Sequence, residues 1–179
     1  LQSSSLPVND VHISNCSFLS VCAAIRIGLK SIGSISDVHI SHCSMKNVWR
    51  EGIKIECSEG GNISDINIQD ITMNDVSRPI FILLNNRFEP DDLGSSLELD
   101  HIPEIGTMSD IIISDIIASD SDEMRNTHYR FDDDVMGSPK FAGIRIDAEK
   151  NHPIRNLTLR NISYKFIGGV KLSDIPNEY

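Results

Sequence analysis

The feature that most constrains this chain is an internal repeat. One eleven-residue pattern recurs: an apolar residue, any residue, Asp or Asn, and then apolar residues at alternate positions. Its five copies begin at Val8, Ile35, Ile63, Met108 and Ile154. The starts lie 27, 28, 45 and 46 residues apart, so each of the last two intervals equals one repeat plus an insertion of about 18 residues.

A second motif follows each of the first three copies, and its isoleucines at 25, 53 and 80 are spaced by 28 and 27 residues, the same period. It reads AAIRIG at 23–28, EGIKIE at 51–56 and RPIFIL at 78–83, and AGIRID at 142–147 and GGVKLS at 168–173 continue the series. Alternation of apolar and polar residues predicts β-strands, and the Gly, Asn, Asp and Ser residues between the motifs mark turns. No ten-residue segment shows the periodicity of a helix.

A repeat of 27–28 residues with short strands is typical of one coil of a parallel β-helix. Each strand then pairs with its equivalent one coil later, about 4.8 Å away. We therefore predict an all-β solenoid of about five to six coils, a single domain over 1–179 that is a fragment of a longer chain, with loop insertions at 86–106 and 119–141. A leucine-rich repeat would need leucines and a regular Asn, and a β-sandwich would need hairpin turns; both fit less well.

Stacked coils turn equivalent residues into columns. Cys16 and Cys43 fall in a column of isoleucines, which favours buried free thiols over a disulfide. The repeated Asp or Asn forms another column, which we interpret as a structural corner that bonds the backbone. Its members are Asp10, Asp37, Asp65, Asp110 and Asn156.

A third column is basic. If Ile25 and Ile27 point inward, then Arg26 points outward, and Lys54, Phe81 and Arg145 follow in register. Arg50 and Arg78 flank the neighbouring strands, and Glu56 ends one of them. This strip is either a solvated face or a cleft for an anionic chain, in which arginine pairs with carboxylate and Phe81 stacks on a sugar.

Composition narrows the function classes. The net charge of −10 argues against nucleic acid as a partner, and the sequence contains neither a membrane-length apolar run nor a signal peptide. The four cysteines lack zinc-site spacing, and we predict no metal and no cofactor. Acidic and histidine residues in the insertions are interpreted as parts of solvated loops: Asp91, Asp92, His101, His128 and Asp132 to Asp134.

The motifs resemble the C-terminal coils of family 28 glycoside hydrolases, the polygalacturonase-like enzymes. The likeness is good over residues 8–85 and looser over 108–172, and its most specific part is the GGNISDINIQDITM segment followed by RPIFI. The resemblance implies a right-handed parallel β-helix that hydrolyses pectin-type polysaccharides with two separated carboxylates. Those come from Asn-Thr-Asp and Asp-Asp segments that are absent here, so the catalytic residues are expected upstream of Leu1 and the chain alone is expected to be inactive.

The resemblance also implies substrate contacts. Arg26 and Lys54 would orient carboxylate or hydroxyl groups of the sugar, and Glu56 would accept a sugar hydroxyl; Arg50 and Phe81 complete the predicted substrate-binding set. Where the family has Gly-His-Gly, this chain has Val21-Cys22-Ala23, and where the family has Arg-Ile-Lys it has Lys54-Ile55-Glu56. These differences suit a divergent branch that acts on another uronic acid, rhamnose or neutral-sugar linkage.

Two alternatives remain open. One is a non-catalytic carbohydrate-binding β-helix; the other is a polysaccharide lyase on the same scaffold, with Arg26 or Lys54 as the base. The expected partner is a polysaccharide or oligosaccharide, and missing coils or a partner chain would cover the first coil, whose strand edge is otherwise open. The resemblance favours an extracellular or periplasmic location.

Overall fold

The computed structural model describes residues 6–29, 32–86, 104–120 and 143–166, and it contains β-strands and turns but no helix among them. The strands are β1 (Val11–Ser14), β2 (Ser17–Ser20), β3 (Ile25–Leu29), β4 (Ile35–Cys57), β5 (Asn62–Leu84), β6 (Thr107–Ser119), β7 (Ile144–Ala148) and β8 (Arg155–Lys165).

The strands form one parallel sheet in which each repeat pairs with the next. β4 pairs with β1, β2 and β3 on one side and with β5 on the other. β5 continues to β6 through its first half and to β7 through its second, and β6 pairs with β8. The prediction of an all-β fold built from parallel strands is thus confirmed for the described residues.

The register confirms the alignment of the first motif. Val8 bridges to Ile35, Ile35 pairs with Ile63, and Ile63 pairs with Met108. The fifth copy follows the same offset, because Ser109 pairs with Arg155. The residues that lie between motifs therefore add length without shifting the ladder.

The second motif stacks in the same way. Ile25 pairs with Ile53, Ile53 with Ile80, and Ile80 with Ile144, so AGIRID continues the series as predicted. The predicted GGVKLS continuation lies outside the described residues, as do most residues of both loop insertions.

The long strands are bent rather than straight. A straight strand of 23 residues, the length of β4, would extend about 75 Å at 3.3 Å per residue. Its backbone instead enters the left-handed region at Asp37, His42 and Asn47, with φ between 52° and 55°. β5 does the same at Asp65 and two later positions, Asp70 and Asp75. Each left-handed residue redirects the chain while the strand pairing continues.

The predicted position of the Asp/Asn column at a corner of the backbone is confirmed, and its bonding to the backbone stays a prediction. Its five members have φ values from 51° to 57°. Hydrogen bonds also link neighbouring repeats at this corner, since Asn156 Nδ2 donates to Asp110 Oδ1 over 2.8 Å. A hydrogen bond from the neighbouring Ser109, followed by this one from Asn156, lowers the pKa of the Asp110 carboxyl. A second left-handed column, which the sequence did not predict, contains Asn15, His42, Asp70, Asp115 and Asn161.

The core consists of stacked apolar residues from successive repeats. Ile40, Ile68 and Ile113 are consecutive members of one column and are at most 1% exposed. Ile13 precedes them in the same column but is only half-buried, because among the described residues β1 has a neighbouring strand on one side only. Burial is therefore deepest in the middle of the stack.

The cysteines follow the same rule, and all four are free thiols. Cys43 is buried above Ile71 in the predicted column, whereas Cys16 is exposed. The expectation that Cys16 is buried was wrong, because that residue belongs to the first described repeat, and no strand among the described residues covers its outer side. Burial raises the pKa of the Cys57 thiol to about 11, so this side chain behaves as a small apolar group.

Candidate functional site

The predicted basic column forms one continuous row. Arg26 pairs with Lys54, Lys54 with Phe81, and Phe81 with Arg145. The flanking Ile25 belongs to the apolar core, but Phe81 does not, although only 7% of it is exposed. The row therefore lies on the face of the sheet opposite the core, as the alternation predicted.

Solvent exposure along this row differs from the prediction. Lys54 is 5% exposed and Glu56 is 6% exposed, whereas 33% of the Arg26 side chain remains accessible. An openly solvated strip is therefore wrong for the middle of the row. Sequence alternation gives the direction of a side chain, but it does not say how closely neighbouring polar groups pack on one another.

Glu56 joins the first two cations. Its Oε2 lies 3.1 Å from Arg26 Nη2 and 3.0 Å from Lys54 Nζ. The other oxygen, Oε1, lies 3.3 Å from Ser58 Oγ, which also donates to Asn85 Oδ1 over 2.6 Å. Buried charges are stable only when they are paired and hydrogen-bonded, and this arrangement meets that condition for Lys54 and Glu56.

The Phe81 ring lies between Lys54 and the two arginines Arg78 and Arg145. Lys54 Nζ lies 5.0 Å from the centroid of the ring, and the guanidinium carbons of Arg78 and Arg145 lie 5.3 and 5.5 Å from it. Each distance is within the range of a cation–π interaction. Arg145 also forms an ion pair with Asp147. The ring thus reduces the repulsion expected between stacked like charges. Because it already contacts three cations, it is not a free surface on which a sugar could stack.

A second buried carboxylate lies at the start of the same strand segment. Glu51 is 1% exposed, and its Oε1 lies 3.6 Å from both Arg50 Nη2 and Arg78 Nη1. The sequence interpretation included Arg50 but missed Glu51. The signal was present in the register, since Glu51 pairs with Arg78 one repeat later.

We call this group of side chains the polar cluster. Its five cations and three carboxylates have a formal charge of +2, in a chain whose net charge is −10. Planar guanidinium groups and a carboxylate suit the recognition of hydroxyl or carboxylate groups. The members are Arg26, Arg50, Glu51, Lys54, Glu56, Arg78, Phe81, Arg145 and Asp147.

The described residues contain no second candidate site of the kinds that the sequence suggested. Within the described ranges, no group of three or more His, Cys, Asp or Glu side chains is placed to hold a metal ion. The same ranges contain no helix long and apolar enough to cross a membrane. The residues interpreted as solvated loop, including Asp91, Asp92, His101, His128 and Asp132 to Asp134, lie outside the described residues. Cys22, which the resemblance aligns with a histidine of the family, is half-buried.

Comparison with known proteins gave no match: no family model, no curated protein and no solved structure is significantly similar to the chain. The resemblance to polygalacturonase-like enzymes therefore rests on the quoted motifs and stays a prediction.

Proposed function

We propose that the chain forms coils of a right-handed parallel β-helix in a glycoside hydrolase that acts on pectin-type or related plant polysaccharides. In this proposal the polar cluster forms part of the wall of the substrate cleft. The acid and base carboxylates lie elsewhere in the protein, so this chain contributes substrate contacts rather than the reacting groups.

The observation that carries the proposal is the row of Arg26, Lys54, Phe81 and Arg145 on the face opposite the core. Cations at the same place in successive strands lie about 4.8 Å apart and repel one another, so they do not favour the stacking of the repeats. A role in ligand binding explains why the chain has them. An extended polysaccharide can run along such a row and contact several repeats at once.

The residues of the polar cluster have different roles in this proposal. Arg26 and Arg50 keep 33% and 22% of their side chains exposed, so they contact the sugar. Lys54, Glu56 and Phe81 are buried and hold the arginines in position. Arginine suits this task because its planar group presents several donors in a fixed geometry.

The test is an activity screen of the full-length protein on pectin, rhamnogalacturonan and neutral plant polysaccharides. Hydrolysis will release reducing ends, and Arg26→Ala will lower kcat/KM by about tenfold because a hydrogen bond from a charged group to substrate is worth about 1.5 kcal/mol or more. Lys46→Ala is the matched control, since Lys46 is an exposed cation of the neighbouring strand β4 and lies outside the polar cluster.

Each alternative gives a different result in the same screen. Unsaturated products would indicate a lyase, and binding without products would indicate a carbohydrate-binding module. Equal activity of Arg26→Ala and Lys46→Ala would contradict the assignment of the cleft to the polar cluster.

A further inference from the structure

We infer that Glu56 sets the specificity of the polar cluster: it occupies, from within the chain, the position between Arg26 and Lys54 that a ligand carboxylate would take. The sugar unit bound at Arg26 is therefore an uncharged one, recognised through its hydroxyl or ester groups. This inference rests on the proposed function, because it concerns which glycan that site accepts.

The geometry is that of an occupied anion site. Arg26 Nη2 and Lys54 Nζ both approach the same oxygen of Glu56, at 3.1 and 3.0 Å. Two cations that converge on one oxygen form the arrangement that would bind an incoming carboxylate, and charge-assisted bonds of this kind are among the strongest in proteins. Here the chain itself supplies that anion, and Ser58 contacts its second oxygen.

Burial makes the pairing hard to replace. Lys54 and Glu56 are 5% and 6% exposed. An anionic ligand that displaced Glu56 would leave a buried carboxylate without its cations, which is strongly unfavourable. A ligand that bound beside Glu56 would instead bring two carboxylates close together, and like charges in a partly dry site repel strongly.

An uncharged sugar meets neither obstacle. The guanidinium group of Arg26 has five N–H donors, and the ion pair with Glu56 uses Nη2. The donors on the exposed part of Arg26 can bind hydroxyl or carbonyl oxygens while the ion pair stays intact. The next cation along the row is also matched within the chain, since Arg145 pairs with Asp147.

The experiment compares two probes with the same sugar chain: an oligogalacturonide, and the same oligosaccharide with its carboxylates converted to uncharged methyl esters. Binding to the full-length protein is measured by calorimetry, with neutral galacto- and arabino-oligosaccharides as further uncharged probes. We expect the wild-type protein to prefer uncharged probes. Glu56→Gln should raise affinity for the acidic probe by about tenfold, because one buried carboxylate no longer competes for two cations.

Two further variants separate the effect of the charge of Glu56 from an effect on folding. Glu56→Asp retains the negative charge and should keep the wild-type preference. Arg26→Gln alters a side chain that is 33% exposed, so the fold is retained, and it should weaken binding of the acidic and esterified probes by the same factor. If Glu56→Gln fails to fold, as judged by circular dichroism, Arg26→Gln gives the answer.

The contrary results are distinct. A wild-type preference for the acidic probe, an unchanged preference in Glu56→Gln, or a selective loss of acidic binding in Arg26→Gln overturns the role of Glu56 but leaves the cleft in place. If the wild-type protein binds none of the probes, the proposed function itself is wrong, and the inference about Glu56 is wrong with it.

Discussion

Within the long strands β4, β5, β6 and β8, Asp, Asn and His rather than glycine carry the left-handed backbone at the bends. Left-handed φ angles are unfavourable for most L-residues, but Asp and Asn visit them most readily because their short polar side chains bond locally. At Asp65, for example, φ is 55° and Ser64 Oγ donates to the carboxylate over 2.9 Å. These residues therefore combine a tolerated conformation with a hydrogen bond that holds it.

A glycine is required at a different kind of position. Gly28 has φ of +91°, and a Cβ atom there would lie 2.1 Å from the carbonyl oxygen of Glu56. Both the backbone conformation and the close approach of the next strand exclude a side chain. This glycine directly follows Ile27, so the strand that carries Arg26 is held close to the strand that carries Glu56.

The first testable expectation concerns the corner residue Asp65. Asp65→Val should destabilise the protein by about 1–2 kcal/mol, because a β-branched residue fits the left-handed region poorly. Asp65→Gly should be tolerated, since glycine adopts this conformation without steric cost. The measurement is the urea midpoint of unfolding.

Asn67→Val provides the control for Asp65. Asn67 lies two residues later in the same strand and has an ordinary extended backbone. We expect this β-branched substitution to leave the midpoint nearly unchanged. A similar loss of stability in both valine variants would mean that the corner conformation is not the cause.

The corner columns also show what a sequence can and cannot reveal at this scale. The first column was predictable because Asp or Asn recurs at the same place in every repeat. The second was missed, because it includes His42 and because Asp70 and Asp115 are also typical of an exposed strand face. The φ angle of a polar residue can be predicted from the sequence only when the same residue type recurs at that position in every repeat.

The strands obtain their stability from stacking of equivalent residues. Ile13, Ile40 and Ile68 occupy one column, and burial increases from β1 to the inner strands. The ladder itself was predictable, because an error of one residue would move every isoleucine from the core to solvent. The unbroken length of β4 was not predictable, since Asn47 and Gly52 within it are residues that usually mark turns.

Removal of apolar side chains from this column should have a graded cost. Ile40→Ala should destabilise by about 2–5 kcal/mol, the range for fully buried large-to-alanine changes. Ile13→Ala is the matched comparison, because the two residues are neighbours in register and Ile13 is only half-buried. We expect a clearly smaller effect for Ile13, measured by chemical denaturation. Equal effects would show that β1 is as well covered as β4.

The whole molecule is a stack with a protected middle and less protected ends. β4 and β5 have neighbouring strands on both sides, whereas β1, β2 and β3 pair only with β4 among the described residues. Apolar side chains near the first strands are correspondingly exposed, among them Leu19 at 72% and Val21 at 52%. Unpaired parallel edges of this type are sites where another strand can add.

Amide hydrogen exchange should reveal this gradient directly. The amides of β5 should exchange most slowly, because their bonds break only when the stack opens. The amides of β1 and β3 should exchange faster by local opening. Uniform protection from β1 to β5 would contradict the gradient and would indicate that the first repeat is covered in solution.

The polar cluster illustrates the limit of prediction at the scale of the molecule. The row of Arg26, Lys54 and Phe81 followed from the repeat alone, because register determines which residues are neighbours. The capture of two cations by Glu56 did not follow, since it depends on the conformations of the Lys54 side chain in the same strand and of the Arg26 side chain one repeat earlier. Register gives the neighbours of a residue, but it does not give the partner that the residue selects among them.

The parallel strands keep their register whatever the length of the segment between them, and this affects how such a protein can evolve. Ile35 and Ile63 are separated by 28 residues, and Ile63 and Met108 by 45, yet each pair lies side by side. Connections can therefore lengthen, shorten or be exchanged between relatives without disturbing a single hydrogen bond of the stack. Selection can therefore vary the connections and conserve the stacked strands, and the two parts of the molecule are free to evolve at different rates.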